Sequence, residues 1–442
     1  MKMFHVKHPS PHILLINPWI TDFAAYNFWI KPHGILSIAS LLRMNGFKVT
    51  FIDCLDSTVT RKRYGDGKFH KTEIEKPLPV KRFPRKYSQY GIPEELFREK
   101  LSKTERPDLI ALTSGMTYWY PGLFKAIRII KEFFKQTAIV LGGTYATLCY
   151  EHAIRHSEAD YIIRGRGETE LFKIMAALFS LELPTPSSEL QTDIYPAFDL
   201  YPELHYVSMM TSRGCPFHCS YCASPILSKG FQRRDPIKVV EEIEYWTSRY
   251  KIRDIAFYDD ALLVNPLEHI ILILKEISKR DIECNFHAPN GLHVKEITEE
   301  LAHLLYHCQF KTIRLGLETS NEAMQIETGG KVDNQSFKEA VENLKRAGYS
   351  EDEIGVYIMA GLPGQRVGEV EESVAFVKEN GAKPMLVEYS PIPQSPLFEK
   401  AKQMSEFDLE NEPLCHNNSI LPCQWRGFTH ADFQKLKMMV RA

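Results

Sequence analysis

The chain has 442 residues, 44% hydrophobic and 25% charged, enough to bury the cores of two or three domains. Lys and Arg number 54 against 56 Asp and Glu, so no net field selects nucleic acid or an anionic membrane. The apolar run Ile13-Leu14-Leu15-Ile16 is too short for a secretion signal, and no segment approaches the roughly 20 apolar residues of a membrane span. A cytoplasmic protein is expected. Nine cysteines, unevenly spaced outside one triad, do not read as a disulfide framework.

Short apolar runs alternate with helical patterns up to about residue 180. His12 to Asn17, Val49 to Asp53, Leu109 to Ser114, Ala138 to Gly142 and Tyr161 to Arg164 read as strands; Ile35 to Met44, Pro121 to Phe134 and Thr169 to Leu181 read as helices. The expected fold class is α/β, beginning with a doubly wound parallel sheet over residues 1–181, with ligands beyond the carboxyl ends of its strands. Residues 61–86 are rich in Lys and Arg and read as a solvated surface excursion; recruitment of an anionic substrate is the alternative. Pro184, Pro186, Pro196 and Pro202 mark a linker over 182–204. Strands at Tyr206 to Thr211, Asp254 to Tyr258, Glu283 to Ala288, Thr312 to Leu317, Ile354 to Ala360 and Met385 to Tyr389 then alternate with helices. Six βα units over 205–399 predict an open, partial (β/α)6 barrel with active residues at the strand carboxyl ends. Residues 400–442 are left as a short C-terminal cap.

Cys215, Cys219 and Cys222 form a C-x3-C-x2-C triad directly after the first of those six strands. Soft thiolates this close can hold three irons of a [4Fe-4S] cluster and leave the fourth iron open to an organic ligand. Zinc is the competing reading, but a structural zinc site usually pairs two knuckles, no second C-x2-C exists, and His218 inside the triad would be a cramped fourth ligand. Cys415 and Cys423 cannot by themselves close a four-thiolate site, and Cys54, Cys149, Cys284 and Cys308 read as buried or unpaired thiols.

The triad, with Tyr221 before its third cysteine, resembles the radical S-adenosylmethionine (SAM) superfamily. The resemblance implies that the open iron chelates SAM and that an electron from the cluster cleaves it to a 5'-deoxyadenosyl radical. It further implies that Asp259 or Asp260 receives the SAM ammonium, although relatives often carry Gly-Gly-Glu there. Glu318, in a run continuing to Ser320, would hold the ribose hydroxyls, and Gly361, at the exit of the fifth strand, would let backbone approach adenine. His287, ending the third strand, is a candidate proton donor or acceptor toward substrate, with a structural histidine as the alternative.

The first domain resembles the cobalamin-binding domains that precede many radical SAM domains. The matching pieces include Ser114-Gly115-Met116 and Gly142-Gly143, which in that family cradle the nucleotide tail, and Gly167-Glu168 after the fifth strand, a further cofactor-binding candidate. The D-x-H-x-x-G element that gives cobalt a histidine is missing from the loop Pro18 to Gly34, so the resemblance implies cobalamin bound base-off without a histidine ligand. His33, just before Gly34, reads as a packing or phosphate-contact residue. The expected activity is methylation of an unactivated carbon or a phosphinate in a small-molecule or peptide substrate. A flavodoxin or ferredoxin would supply electrons. Rearrangement, ring contraction or cyclisation without methyl transfer is the first alternative, and a non-catalytic corrinoid- or metal-binding sensor the second. Methylthiolation of tRNA is disfavoured, since neither an additional N-terminal cysteine trio nor a C-terminal RNA-binding barrel is seen in the sequence.

Overall fold

The computed structural model of the protein describes residues 10–56, 58–60, 66–183 and 194–441. Five parallel strands form the first sheet, in the spatial order Tyr161–Ile162, Ala138–Leu141, Leu109–Leu112, His12–Asn17, Lys48–Asp53. Its centre is an unbroken apolar run because both faces are covered. Leu14 and Ile16 enter one core, while Ile13 and Leu15 enter the core on the opposite face. The helix Tyr120–Phe133 buries Leu123, Ala126, Ile127 and Ile130, the spacing of a single helical stripe.

The second sheet has six strands in sequential order: Tyr206–Met209, Asp254–Phe257, Asn285–His287, Phe310–Glu318, Ile354–Ala360 and Lys383–Glu388. Every neighbouring pair is parallel. Sequential parallel order without closure is the open partial barrel expected from six βα units. Phe257, Phe286 and Phe310 stack on one another with centroids 5.4–5.7 Å apart in its core.

Two regions depart from the sequence reading. The excursion after the second strand is not a plain loop. Ser88–Tyr90 is flanked by Ile20–Asp22 and Lys71–Glu73, and Asp66–Phe69 by Asn27–Phe28 and Thr58–Thr60, in two small antiparallel sheets. Lys81, Arg82 and Lys86 meet Glu75, Glu406 and Glu73 there, while Arg61, Lys62 and Arg63 lie outside the described residues, as do Pro184 and Pro186 of the linker. The C-terminal segment is more than a cap on the barrel. Between the helices Pro396–Met404 and His430–Arg441 it crosses to the first domain, where Asn417 donates to Asp22 (2.8 Å), Tyr120 donates to Glu412 (3.0 Å) and His416 Nδ1 lies 3.0 Å from Thr117 Oγ1. Among the described residues no helix is long and apolar enough to cross a membrane.

Candidate active site between the two sheets

The triad loop leaves the first barrel strand through the short strand Ser212–Arg213, which pairs antiparallel with Gln232–Arg233. Gly214 has φ +75°, and a Cβ there would stand 2.0 Å from the Gly230 carbonyl oxygen, so only glycine closes this turn. The Ser220 amide donates to Thr328 O (3.2 Å), Leu397 N donates to Ser220 O (2.9 Å), and Ser224 N donates to Cys222 Sγ (3.4 Å). All three cysteines are free; Cys215 senses the charge of both other triad members and Cys222 that of Cys219. Burial pushes the Cys215 thiol up to about 11 and raises that of Cys222 as well. Such thiols ionise when a metal takes the place of the proton, and a cluster supplies that positive charge. Among the described residues no three His, Cys, Asp or Glu groups converge as ligands of one ion. Thiolates on three separate irons need no such convergence. The Tyr221 hydroxyl beside them is buried. The donor set fits an iron-sulfur cluster.

The strand ends sort the remaining candidates. Asp259 is buried and fully engaged: it accepts from Thr211 N (2.9 Å), Thr211 Oγ1 (2.8 Å) and Ser212 Oγ (2.6 Å), which anchors the start of the triad loop. Asp260 is exposed, accepts from Ser224 Oγ (2.6 Å) and acts electrostatically on Cys215 and Cys222. Glu318 stands at a register shift of its strand with φ +65°, a conformation that costs a non-glycine residue energy and is concentrated at functional sites. Its Oε1 accepts from Lys331 Nζ at 2.8 Å. The Ser320 amide donates to Ser373 Oγ at 3.0 Å, and Gly361, at φ +87°, donates its amide to Gln365 Oε1 at 2.8 Å.

His287 departs from a free ring facing substrate. It is fully buried, with Nδ1 2.9 Å from Thr312 Oγ1 and Nε2 3.0 Å from Asp254 Oδ1, and it stacks on Trp29 with centroids 3.8 Å apart. Burial lowers its pKa, which favours the neutral ring. Cys415 and Cys423 lie in an apolar cluster with Leu362, Tyr389 and Phe398, and burial holds both thiols at about 12.

On the first domain, Ser114 Oγ donates to Gly142 O (2.7 Å) and accepts from Ala146 N (3.2 Å). A Cβ on Gly143 would lie 2.5 Å from Ser114 O, so the serine segment and the glycine pair are locked together. Gly115 is pressed against the Trp119 ring in the same way, and Met116 is exposed. A cavity of about 210 Å³ opens beside them, bounded by Gly34, Ile38, Gly142, Gly143, Gly167 and Glu168. Glu168 also accepts from Arg213 Nη1 at 2.9 Å, tying this cradle to the triad loop. His33 is turned toward the barrel, its Nδ1 3.4 Å from Ser208 O, and burial lowers its pKa to about 4.

A larger cavity of about 890 Å³ lies between the two sheets, with Ser114 and Gly115 on one side and Tyr258, Asn290 and Glu388 on the other. The strap from Ala24 to Ile30 forms part of its wall. It is fastened to the barrel by Tyr258, whose hydroxyl donates to Phe28 O at 2.5 Å, and by Asn27 Nδ2 donating to Tyr206 at 2.8 Å. Lys331 and Arg213 carry no role in the sequence reading, and the strap enters it only as part of the loop Pro18 to Gly34 that lacks the cobalt histidine. The run Gly329-Gly330-Lys331 after Glu318 carried a signal, since two glycines before a cation mark a tight turn.

An open six-stranded barrel with a free cysteine triad at its first strand end, coupled to a doubly wound sheet with a small-residue cradle, defines a radical SAM protein with a cobalamin-binding domain. Family models agree: that of the Radical SAM superfamily matches residues 209–377 and that of the B12 binding domain residues 88–174. The chain belongs to the radical SAM superfamily, among members that carry a B12-binding domain. It is 25% identical over 386 residues to an uncharacterized methyltransferase of Pyrococcus horikoshii, covering 78% of this chain and 79% of that one. It is 24% identical over 355 residues to the anaerobic magnesium-protoporphyrin IX monomethyl ester cyclase of Rubrivivax gelatinosus, covering 72% of this chain but only 62% of the cyclase. Among solved structures, the radical SAM methyltransferase TsrM of Kitasatospora setae, with tryptophan and a SAM analogue bound, superposes with a TM-score of 0.67 at 16% identity, covering 89% of this chain and 76% of that one. At that identity the likeness concerns the fold.

Proposed function

We propose that the protein is a cobalamin-dependent radical SAM methyltransferase acting on an unactivated carbon or a phosphinate of a small-molecule or peptide substrate. The observation that carries this reading is the 890 Å³ cavity bounded on one side by the serine-glycine segment of the B12-binding domain and on the other by barrel strand ends. When bound, the cluster supplies the electron that cleaves SAM and cobalamin supplies the methyl group. The chain's own part is to position and to exclude water. Cys215, Cys219 and Cys222 hold the cluster; Asp260, rather than the fully engaged Asp259, receives the SAM ammonium; Glu318 and Ser320 face the ribose, and Gly361 gives adenine room. His287 supports the barrel wall through Thr312, Asp254 and Trp29.

For cobalamin, Gly142, Gly143, Gly167 and Glu168 border the smaller cavity, space suited to the displaced base, while Ser114 and Gly115 border the larger one, and His33, which also lines the larger one, turns its Nδ1 to Ser208 O of the barrel. Both support base-off binding without a histidine on cobalt. Electron paramagnetic resonance of the cob(II)alamin-loaded protein checks this: nitrogen superhyperfine splitting would contradict it.

The similarity to an anaerobic cyclase favours a second reading, cyclisation or rearrangement without methyl transfer. The two separate without knowledge of the substrate. The reduced, cobalamin-loaded protein is incubated with SAM carrying a deuterated methyl group, and the extracted cofactor is weighed by mass spectrometry. Labelled methylcobalamin supports the methyltransferase; cofactor that stays unlabelled removes that reading.

A further inference from the structure

Lys331 is a cation next to the triad that the proposed chemistry does not use. Its Nζ lies 2.8 Å from Glu318 Oε1 and 5.6 Å from the centroid of the Tyr221 ring, and its side chain keeps only 19% of its surface. Its charge acts on both Cys219 and Cys222. The turn that carries it is pinned to the triad. Ser220 N donates to Thr328 O, and Gly329, at φ +127°, passes so close that a Cβ would meet the Cys219 Cα at 3.0 Å. A side chain at that position would push the turn, and with it the ammonium, away from the thiols. Asp260 acts on Cys215 and Cys222 with the opposite sign.

We propose that Lys331 is a positioning residue that sets the reduction potential of the cluster, its ammonium making entry of the electron easier. The inference rests on the cluster reading of the three cysteines. Reduction adds one electron from a low-potential donor and neither makes nor breaks a bond, so the negative charge at the three thiolates and their irons grows by one. A fixed cation in this partly desolvated place stabilises the more negative state, because charge interactions are screened far less there than in water. The Glu318 carboxylate orients the ammonium. Its own charge opposes reduction, so the pair predicts opposite effects for its two members.

The test is a dithionite titration of the anaerobically reconstituted protein without SAM or cobalamin, following the reduced cluster by electron paramagnetic resonance. Lys331→Met should shift the midpoint to more negative potential at unchanged iron content, Lys331→Arg should stay near the parent, and Glu318→Gln should shift it to more positive potential. A Lys331→Met protein with full iron and the parent's potential overturns the inference. Should that variant fail to load iron, Glu318→Gln decides alone: a positive shift supports the assignment and no shift overturns it. Failure of the cluster reading itself would look different, as a parent protein that holds no cluster to titrate.

Discussion

Asp259 and Asp260 show what a sequence leaves open at the scale of one residue. Both follow the strand Asp254–Phe257 and both are carboxylates, but the chain bends at Asp260 and the two side chains part. One is buried under Thr211 and Ser212, the other reaches Ser224 and the cysteines. Asp259→Ala should therefore lower the melting temperature, since each buried donor left without an acceptor costs about 1–3 kcal/mol. Asp260→Ala should leave the melting temperature within error and weaken SAM binding, read by equilibrium dialysis of the reconstituted protein. The reverse pattern would exchange the two roles. Gly143 gives a second residue-scale expectation. Gly143→Ala forces a Cβ onto Ser114 and demands φ +98° of an alanine, so it should lower both thermal stability and retention of hydroxocobalamin. A variant as stable as the parent would contradict the close approach.

Among the elements, the strands of both parallel sheets were legible because fully buried strands read as continuous apolar runs bounded by turns. The antiparallel strands of the excursion were not: at two to four residues each they show no period. The C-terminal crossing was hidden for another reason. Its hold on the first domain depends on polar pairs far apart in sequence, such as Asn417 with Asp22 and His416 with Thr117. His416 is buried, and burial depresses its pKa to about 4 from an ordinary 6.5. The folded state then takes up its proton only near pH 4, whereas the unfolded chain does so near 6.5. The stability this neutral ring contributes is present above pH 6.5 and is lost as pH falls toward 4. With about 1.4 kcal/mol lost for each pH unit crossed between those two values, His416→Asn should visibly flatten the fall of denaturation midpoint between pH 6.5 and 4.5. An unchanged slope would show that the ring is not neutral in the fold.

For the whole molecule, the two-sheet architecture and the cysteine triad at a strand end were legible, because a βα rhythm and a short cysteine motif are local signals. The way the sheets meet was not local. Trp29 sits at φ +60° in a strap of the first domain and stacks against His287 inside the barrel. It is 3% exposed, so Trp29→Ala should destabilise by about 3–5 kcal/mol, the range for emptying a buried large aromatic site, and calorimetry should show the two domains unfolding less cooperatively. Retention of a single transition at the parent's temperature would count against the strap as a joint.

The central claim is that the triad holds a cluster that cleaves SAM. Anaerobically reconstituted protein is mixed with dithionite and SAM, and 5'-deoxyadenosine is measured by mass spectrometry beside a variant with Cys215, Cys219 and Cys222 all changed to Ala. The account predicts 5'-deoxyadenosine from the parent and none from the variant, which should also lack iron. A variant that still holds iron and cleaves SAM, or a fully iron-loaded parent that leaves SAM intact, would contradict it.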